Sequence, residues 1–258
     1  HLIMQYNISP ETKIDIADED RFGVGVNNIL NPKNETYGKP SYEKLNKLKS
    51  KGYSVAANGT CYTKEHKGFL PALMEKLYKE RKMYKNKMIE AQKHRQNVGK
   101  IATPTLAKHG IAMKLDKEIA KYNNFQLVRK IQLNSAYGAI GNEWFRYYDV
   151  QMAEAITLSG QLSIRWIANK LNEFLNKSVG TEGYDYVVAS DTDSVYLRLG
   201  NLVDKVCGGK SESEVVEFPN KVSEEILLPF IENRYKELAK LMNAYDNKMI
   251  MDRECIAD

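Results

Sequence analysis

The sequence predicts an α+β fold, an antiparallel β-sheet with packed helices joined to an antiparallel pair of long helices. Three observations carry that prediction. The run Tyr186-Val187-Val188-Ala189-Ser190-Asp191-Thr192-Asp193-Ser194-Val195-Tyr196-Leu197 reads as strand, tight acidic turn and strand, since β-branched and aromatic residues flank turn chemistry. A connection that short implies antiparallel pairing. Two long stretches of helical spacing, opening at Pro71 and near Leu115, flank a segment punctuated by Gly99, Pro104 and Gly110, and such an arrangement packs most simply as a helical hairpin. A further amphipathic stretch runs from about Gln151 to Asn176.

In chain order, Leu2-Ile3-Met4 is a short apolar cluster stopped by Ser9-Pro10. From about Ile14 to Lys51 the chain is polar and rich in Gly, Asn, Lys and Pro, which predicts an irregular surface connection with one short helix around Tyr42 to Lys51. Tyr53 to Phe69 predicts a hairpin turning at Glu65 to Gly68. Pro71 suits the first turn of a helix. Leu73, Leu77, Tyr84, Met88 and Ile89 line one side of it, and Lys76, Lys79, Arg81, Lys82, Lys85 and Lys87 the other. After a break between Gln96 and Gly110, a second helix from about Leu115 to Tyr137 carries Ile119, Leu127, Ile131 and Leu133. An aromatic patch (Trp144, Phe145, Tyr147, Tyr148) precedes the third long helix. Met152, Ala155, Ile156, Ser159, Leu162, Trp166, Ile167, Leu171 and Phe174 form its apolar stripe. Beyond the acidic hairpin another amphipathic helix is expected from about Pro219 to Asn243. Lys248 to Ile256 reads as a strand able to pair with that hairpin.

At 258 residues the chain can form one large domain or two smaller ones. A net charge of +5 permits a polyanionic partner without demanding one. Sixteen tyrosines suit base or sugar stacking as well as packing. Cys61, Cys207 and Cys255 are odd in number and far apart, and the four histidines lack ligand spacing, so neither a zinc site nor a disulfide framework is indicated. No apolar run reaches membrane-spanning length and no signal peptide opens the chain. The chain begins at His1 and stops after a strand-like run, so it reads as an excerpt.

Three polar constellations stand out. Asp191 and Asp193 lie one residue apart, and in an extended backbone such residues point to the same side. Close carboxylates repel unless a cation sits between them, and hard oxygen donors suit magnesium. By itself the stretch is more simply a solvated turn. Lys130, Asn134, Tyr137 and Gly138 share one helical face. That face offers a cation, an amide, a ring and a position open to close approach, which suits an anionic ligand with a planar part. The plain alternative is an amphipathic helix with a C-terminal glycine cap. Arg81 and Lys85 place two cations a turn apart on the preceding helix, at a small repulsive cost.

Lys130-x-x-x-Asn134-Ser135-x-Tyr137-Gly138, followed by Ser190-Asp191-Thr192-Asp193-Ser194, resembles motifs B and C of family B DNA polymerases. Gly141 to Asp149, Met251 to Glu254 and Leu2 to Thr12 look like the replicative enzymes of T-even-type bacteriophages. The resemblance covers nearly the whole chain and is weakest from about Ile14 to Lys51. It implies a palm formed by 1–70, with an irregular insertion, and by 138–258, and a fingers helix pair over 71–137. It implies that Arg81, Lys85 and Lys130 hold the triphosphate of an incoming deoxynucleotide and that Asn134 helps orient it. Tyr137 and Gly138 would border the nascent base pair. Asp191 and Asp193 would be catalytic metal ligands, Asp193 the more direct, in a site for two Mg2+ ions. The implied reaction is attack of a primer 3′-hydroxyl on the α-phosphate, completed by closure of the fingers.

The implied partners are primer–template DNA, deoxynucleoside triphosphates and, through regions outside this chain, a sliding clamp and other replisome proteins. No membrane is implied, and the implied location is the cytoplasm of an infected bacterium. The motif A aspartate would precede His1, so the chain alone is expected to be inactive. An EF-hand is set aside, because Val195 and Tyr196 stand where a ligand and a glycine are needed. No Gly-x-x-x-x-Gly-Lys run supports a P-loop. A non-catalytic, basic nucleic-acid-binding module is the remaining alternative, and it leaves the acidic hairpin unexplained.

Overall fold

The computed structural model describes residues 1–100, 106–207 and 212–256. Helix predominates, and the strands form two small antiparallel sheets, as an α+β class requires. Two compact units are distinguished, residues 1–68 with 151–258, and residues 69–150.

The larger unit opens on helix α1 (Leu2–Tyr6), whose residues Ile3 and Met4 are buried, and a 3-10 turn (Pro10–Thr12) leads into β1 (Lys13–Ile14). The stretch expected to be mostly irregular instead forms three helices, α2 (Asp18–Arg21), α3 (Val26–Leu30) and α4 (Gly38–Ser50). Ile29, Leu45 and Leu48 are fully buried there. Helices as short as α2 and α3 cannot persist alone, so packing rather than local propensity forms them.

Strands β2 (Ser54–Val55) and β3 (Cys61–Tyr62) pair antiparallel, and β1 adds to the far side of β3, giving the order β1-β3-β2. This hairpin turns at Asn58-Gly59 and not at Glu65 to Gly68. Asn58 Oδ1 accepts the Thr60 N–H at 3.2 Å, and Gly59, at φ +80°, donates its N–H to the Ala56 carbonyl at 2.9 Å. The expected turn region is held instead by Asn7. Its amide donates to the Thr63 and His66 carbonyls at 2.8 Å, and its Oδ1 accepts the Gly68 N–H at 2.9 Å. A Cβ on residue 59 would lie 2.7 Å from the Arg21 carbonyl oxygen. Gly59→Ala is therefore expected to destabilise the protein by about 1–3 kcal/mol through the left-handed backbone and the clash. Chemical denaturation reads this directly.

Helix α7 (Val150–Val179) buries Met152, Ala155, Ser159, Leu162, Ile167 and Leu171 as its spacing predicts, while Ile156, Trp166 and Phe174 are half-buried. Strands β4 (Val187–Asp191) and β5 (Ser194–Leu197) follow as a two-stranded antiparallel sheet with an irregularity between Val187 and Ala189. Val187, Val195 and Leu197 pack inward on a core of Ile167, Leu171, Leu175, Tyr186, Ile231 and Tyr235. Val188 and Tyr196 face outward.

Helix α8 (Gly200–Cys207) and helix α9 (Glu212–Lys221) lead to a wide π-turn (Val222–Leu227) and helix α10 (Leu228–Leu241). Pro219, expected to open a helix, lies inside α9. The π-turn that follows closes with a bond from the Leu228 N–H back to the Ser223 carbonyl. A proline and a wide turn in succession let a helix bend without ending. Residues 248–256 form no strand, contrary to expectation. Met249 and Met251 instead pack against the α7–α10 core, so apolar burial holds the segment rather than a ladder on β4 or β5.

Burial pushes the Tyr6 phenol and the Cys61 thiol up to about 12, from ordinary values of 10.0 and 9.0. A raised pKa favours the neutral form in the fold, so this contribution is complete below the unfolded values and lost as pH rises through the folded ones. Stability should be flat with respect to these groups up to about pH 9 and fall between there and about pH 12. Denaturation midpoints measured across that range, with Cys61→Ala removing the earliest part of the decline, check it.

The smaller unit is built on α5 (Phe69–Lys100) and α6 (Leu106–Ile140), which pack along their length. Helix continues through the expected break at Gln96, and Gly99 and Gly110 are both helical; Pro104 lies outside the described residues. Glu80 meets Arg129, Tyr84 meets Phe125 and Arg95 meets Asp116, so the helices run antiparallel in a fixed register. Residues 74, 77, 80, 81, 84, 88 and 91 of α5 and 122, 126, 129, 133 and 136 of α6 are among the buried or half-buried positions along the seam between the two helices. Leu127 and Ile131 are 44% and 56% exposed, which puts them off this seam although they are its most apolar candidates. Past α6, Tyr147 packs against Phe145 and against Phe69 at the start of α5, with ring centroids 5.7 and 5.4 Å apart.

Candidate functional site

The acidic hairpin is positioned by α7. Asn172 Oδ1 accepts the Tyr186 and Val187 N–H groups at 2.9 and 3.1 Å, and its amide donates to Asp185 at 2.8 Å. One turn later, Asn176 accepts the Tyr184 N–H and donates to the Tyr184 carbonyl at 3.0 and 2.7 Å. Two asparagines on one helical face thus dock the entry to β4. Asn172→Ala should leave the Tyr186 N–H without this acceptor and the Val187 N–H with only Asp185 Oδ1 at 3.2 Å, at a cost of about 1–3 kcal/mol. Faster amide exchange at Tyr186 and Val187 is the specific sign to look for.

At the tip, Asp191 ends β4 opposite Ser194, and Thr192 and Asp193 form the turn. Thr192 takes φ +47°, so the strand alternation that would carry Asp193 to the same side as Asp191 stops at Asp191. The turn geometry, not the pleat, sets how the two carboxylates meet. The Thr192 hydroxyl donates to Asp191 Oδ1 at 3.0 Å, and the Ser194 hydroxyl to the Asp191 carbonyl at 3.2 Å. Both aspartates are exposed, and neither forms an ion pair among the described residues. Two uncompensated hard-oxygen ligands fit a divalent cation, although among the described residues no three His, Cys, Asp or Glu side chains converge on one point.

Tyr235 joins this neighbourhood. Its phenol is pushed up to about 12, first by burial and then by the charge of Asp193. Sequence spacing assigned it only to the core side of its helix, which is also true. Its relation to Asp193 arises from packing and has no signature in the sequence.

The cationic set lies on the helix pair. Lys85, Lys130, Asn134, Tyr137 and Gly138 are exposed, whereas Arg81 is half-buried on the seam and separates from the basic side to which its spacing assigned it. Its Nε is buried and makes no hydrogen bond. Because residue 80 meets residue 129 across the antiparallel pair, Arg81 and Lys130 stand at the same level to within one helical turn. Neither Lys85 nor Lys130 has a carboxylate partner among the described residues. Gly138 is not a helix cap, since α6 continues to Ile140, and a Cβ added there would meet nothing within 4 Å. Two signals went unread in the sequence, Glu80 and Arg129, whose pairing across 49 positions only the fold reveals.

Residues 104–229 match the model of DNA polymerase family B. The chain belongs to that family. It is 34% identical to the DNA-directed DNA polymerase of Enterobacteria phage T4 and 32% identical to that of Escherichia phage RB69, in each case over 99% of this chain and 30% of the relative. It is also 27% identical, over 70% of its length and 15% of the relative's, to the DNA polymerase delta catalytic subunit of Plasmodium falciparum. The chain thus spans about 30% of the length of the phage relatives. The stretch matched by the family model contains Lys130, Asn134, Tyr137, Gly138, Asp191 and Asp193.

Proposed function

We propose that the chain serves template-directed DNA synthesis, transferring a nucleotidyl group from a deoxynucleoside triphosphate to a primer 3′-hydroxyl. Residues 71–137 act as fingers, and 1–70 with 138–258 as palm. The observation that carries the reading is the coexistence of unpaired cations on one helix pair with an unpaired aspartate pair on a hairpin tip, in a family B sequence. Cations alone would suit any polyanion, but carboxylates beside a phosphate chain require a metal.

Arg81, Lys85 and Lys130 donate charge-assisted hydrogen bonds to the triphosphate. Asn134 orients it, and Tyr137 with open Gly138 borders the new base pair. Asp191 and Asp193 would hold divalent metal, Asp193 more directly, and two Mg2+ bound there would supply charge stabilisation for phosphoryl transfer. Tyr235 remains a neutral phenol at working pH, because both its burial and Asp193 oppose ionisation. Phage relatives support a place in the cytoplasm of an infected bacterium.

Primer extension by the protein that carries this chain is the test. Mg2+-dependent incorporation of the complementary nucleotide is expected. Tight primer–template binding with no incorporation under any divalent metal would favour a non-catalytic binding module.

A further inference from the structure

We propose that Glu80, Arg129, Tyr84 and Phe125 form a clamp across the helix pair that positions Arg81 and Lys130 for the triphosphate. The inference rests on the nucleotide-binding reading above and assigns roles to residues that reading leaves out. Arg129 Nε donates to Glu80 Oε2 at 3.0 Å, bridging α5 and α6. The two side chains are 24% and 30% exposed, so this ion pair is shielded enough to outweigh an ordinary surface pair. The Arg129 guanidinium lies over two rings, 5.0 Å from the Tyr84 centroid and 5.8 Å from that of Phe125. Those rings meet edge to face at 5.1 Å. One planar cation is therefore fixed on three sides, by a carboxylate and two π-faces.

The position of this clamp gives it a role beyond stability. Glu80 immediately precedes Arg81, and Arg129 immediately precedes Lys130. Locking 80 to 129 fixes the backbones from which both phosphate ligands project. A slip of the helices past each other would separate them by about 1.5 Å per residue of shift. Charge is sorted by the same contact. Glu80 neutralises Arg129, whereas neither Arg81, whose buried Nε makes no hydrogen bond, nor Lys130 has a carboxylate partner among the described residues. Leu127, Val128 and Ile131 of α6 face outward, while Met74 and Ala91 of α5 are buried. The Glu80–Arg129 pair and the Tyr84–Phe125 contact add specific cross-helix contacts to that apolar packing. Glu80 and Arg129 are positioning residues.

The experiment is single-turnover incorporation by the protein carrying this chain, titrating dTTP opposite template adenine. Glu80→Gln and Arg129→Gln are each expected to raise the apparent nucleotide Kd by about 10- to 100-fold. Primer–template affinity should stay close to the parent, and the thermal midpoint should fall by a few degrees at most. Arg129→Lys, which keeps the charge, should recover part of the loss, and the exchange Glu80→Arg with Arg129→Glu should recover most of it. Nucleotide Kd values within twofold of the parent for both Gln variants, while Arg81→Ala weakens binding, would overturn the clamp and leave the nucleotide site standing. An exchange variant as impaired as the single ones would also overturn it. If Arg81→Ala and Lys130→Ala are themselves silent, the nucleotide-binding reading fails first.

Discussion

Asp193→Ala is expected to lower the rate of nucleotide incorporation by about 10³-fold or more, with primer–template affinity and fold retained. The size follows from the several kcal/mol that metal-borne charge stabilisation contributes to phosphoryl transfer, at about 1.4 kcal/mol per tenfold. Retention of the fold follows from the position of the residue. Asp193 is exposed in the two-residue turn beyond β4, and its side chain anchors no strand. The paired measurement is Tyr235. Removing the Asp193 charge should bring the Tyr235 phenol down from about 12, leaving burial as the main cause of its elevation. An ultraviolet titration of tyrosinate in parent and variant reads that shift independently of catalysis. Wild-type incorporation by Asp193→Ala would sink the metal-ligand role, whatever the titration shows.

Lys130→Ala should cut kcat/KM for the incoming nucleotide by about 10- to 100-fold, the range expected for losing a hydrogen bond from a charged donor. The exposed side chain makes no ion pair among the described residues, so the loss should not appear as instability. Most of the effect should fall on nucleotide concentration dependence rather than on DNA binding, because Lys130 sits level with Arg81 on the helix pair. Unchanged steady-state parameters would remove Lys130 from the triphosphate site.

The elements legible in the sequence were those with a long or strongly typed local signal. Helix α7 announced itself through nine apolar or small positions at helical spacing, and six of them are fully buried. The β4–β5 hairpin followed from β-branched runs around Asp191-Thr192-Asp193. The two long helices of the smaller unit were found with their order and antiparallel sense, although α6 begins nine residues earlier than spacing suggested. What failed was short or nonlocal. Helices α2 and α3 have too few residues to signal themselves. The Asn58-Gly59 turn lay inside a run that reads as continuous strand, and polar residues at 65–68 drew the turn to the wrong place. Lys248 to Ile256 has strand-like composition, but a strand exists only with a partner, and Met249 and Met251 found apolar burial instead.

For the candidate site, residue types and spacing singled out the aspartate pair, the Lys130 face and the two cations of α5. They misjudged Arg81, because helical periodicity alone placed it with the solvated lysines. Periodicity tells which residues share a face, not which face a neighbouring helix will cover. That choice was made by Glu80 meeting Arg129 and Tyr84 meeting Phe125, contacts between residues more than forty positions apart. The sequence by itself determined the chemistry this protein can present: paired carboxylates on a turn, cations and an open glycine on helices. Tertiary structure alone decided the level at which those helices pair, the half-burial of Arg81 and the nearness of Tyr235 to Asp193. The physical reason is that an amino-acid side chain carries its charge and shape with it, whereas register, burial and field depend on partners that only the folded chain supplies.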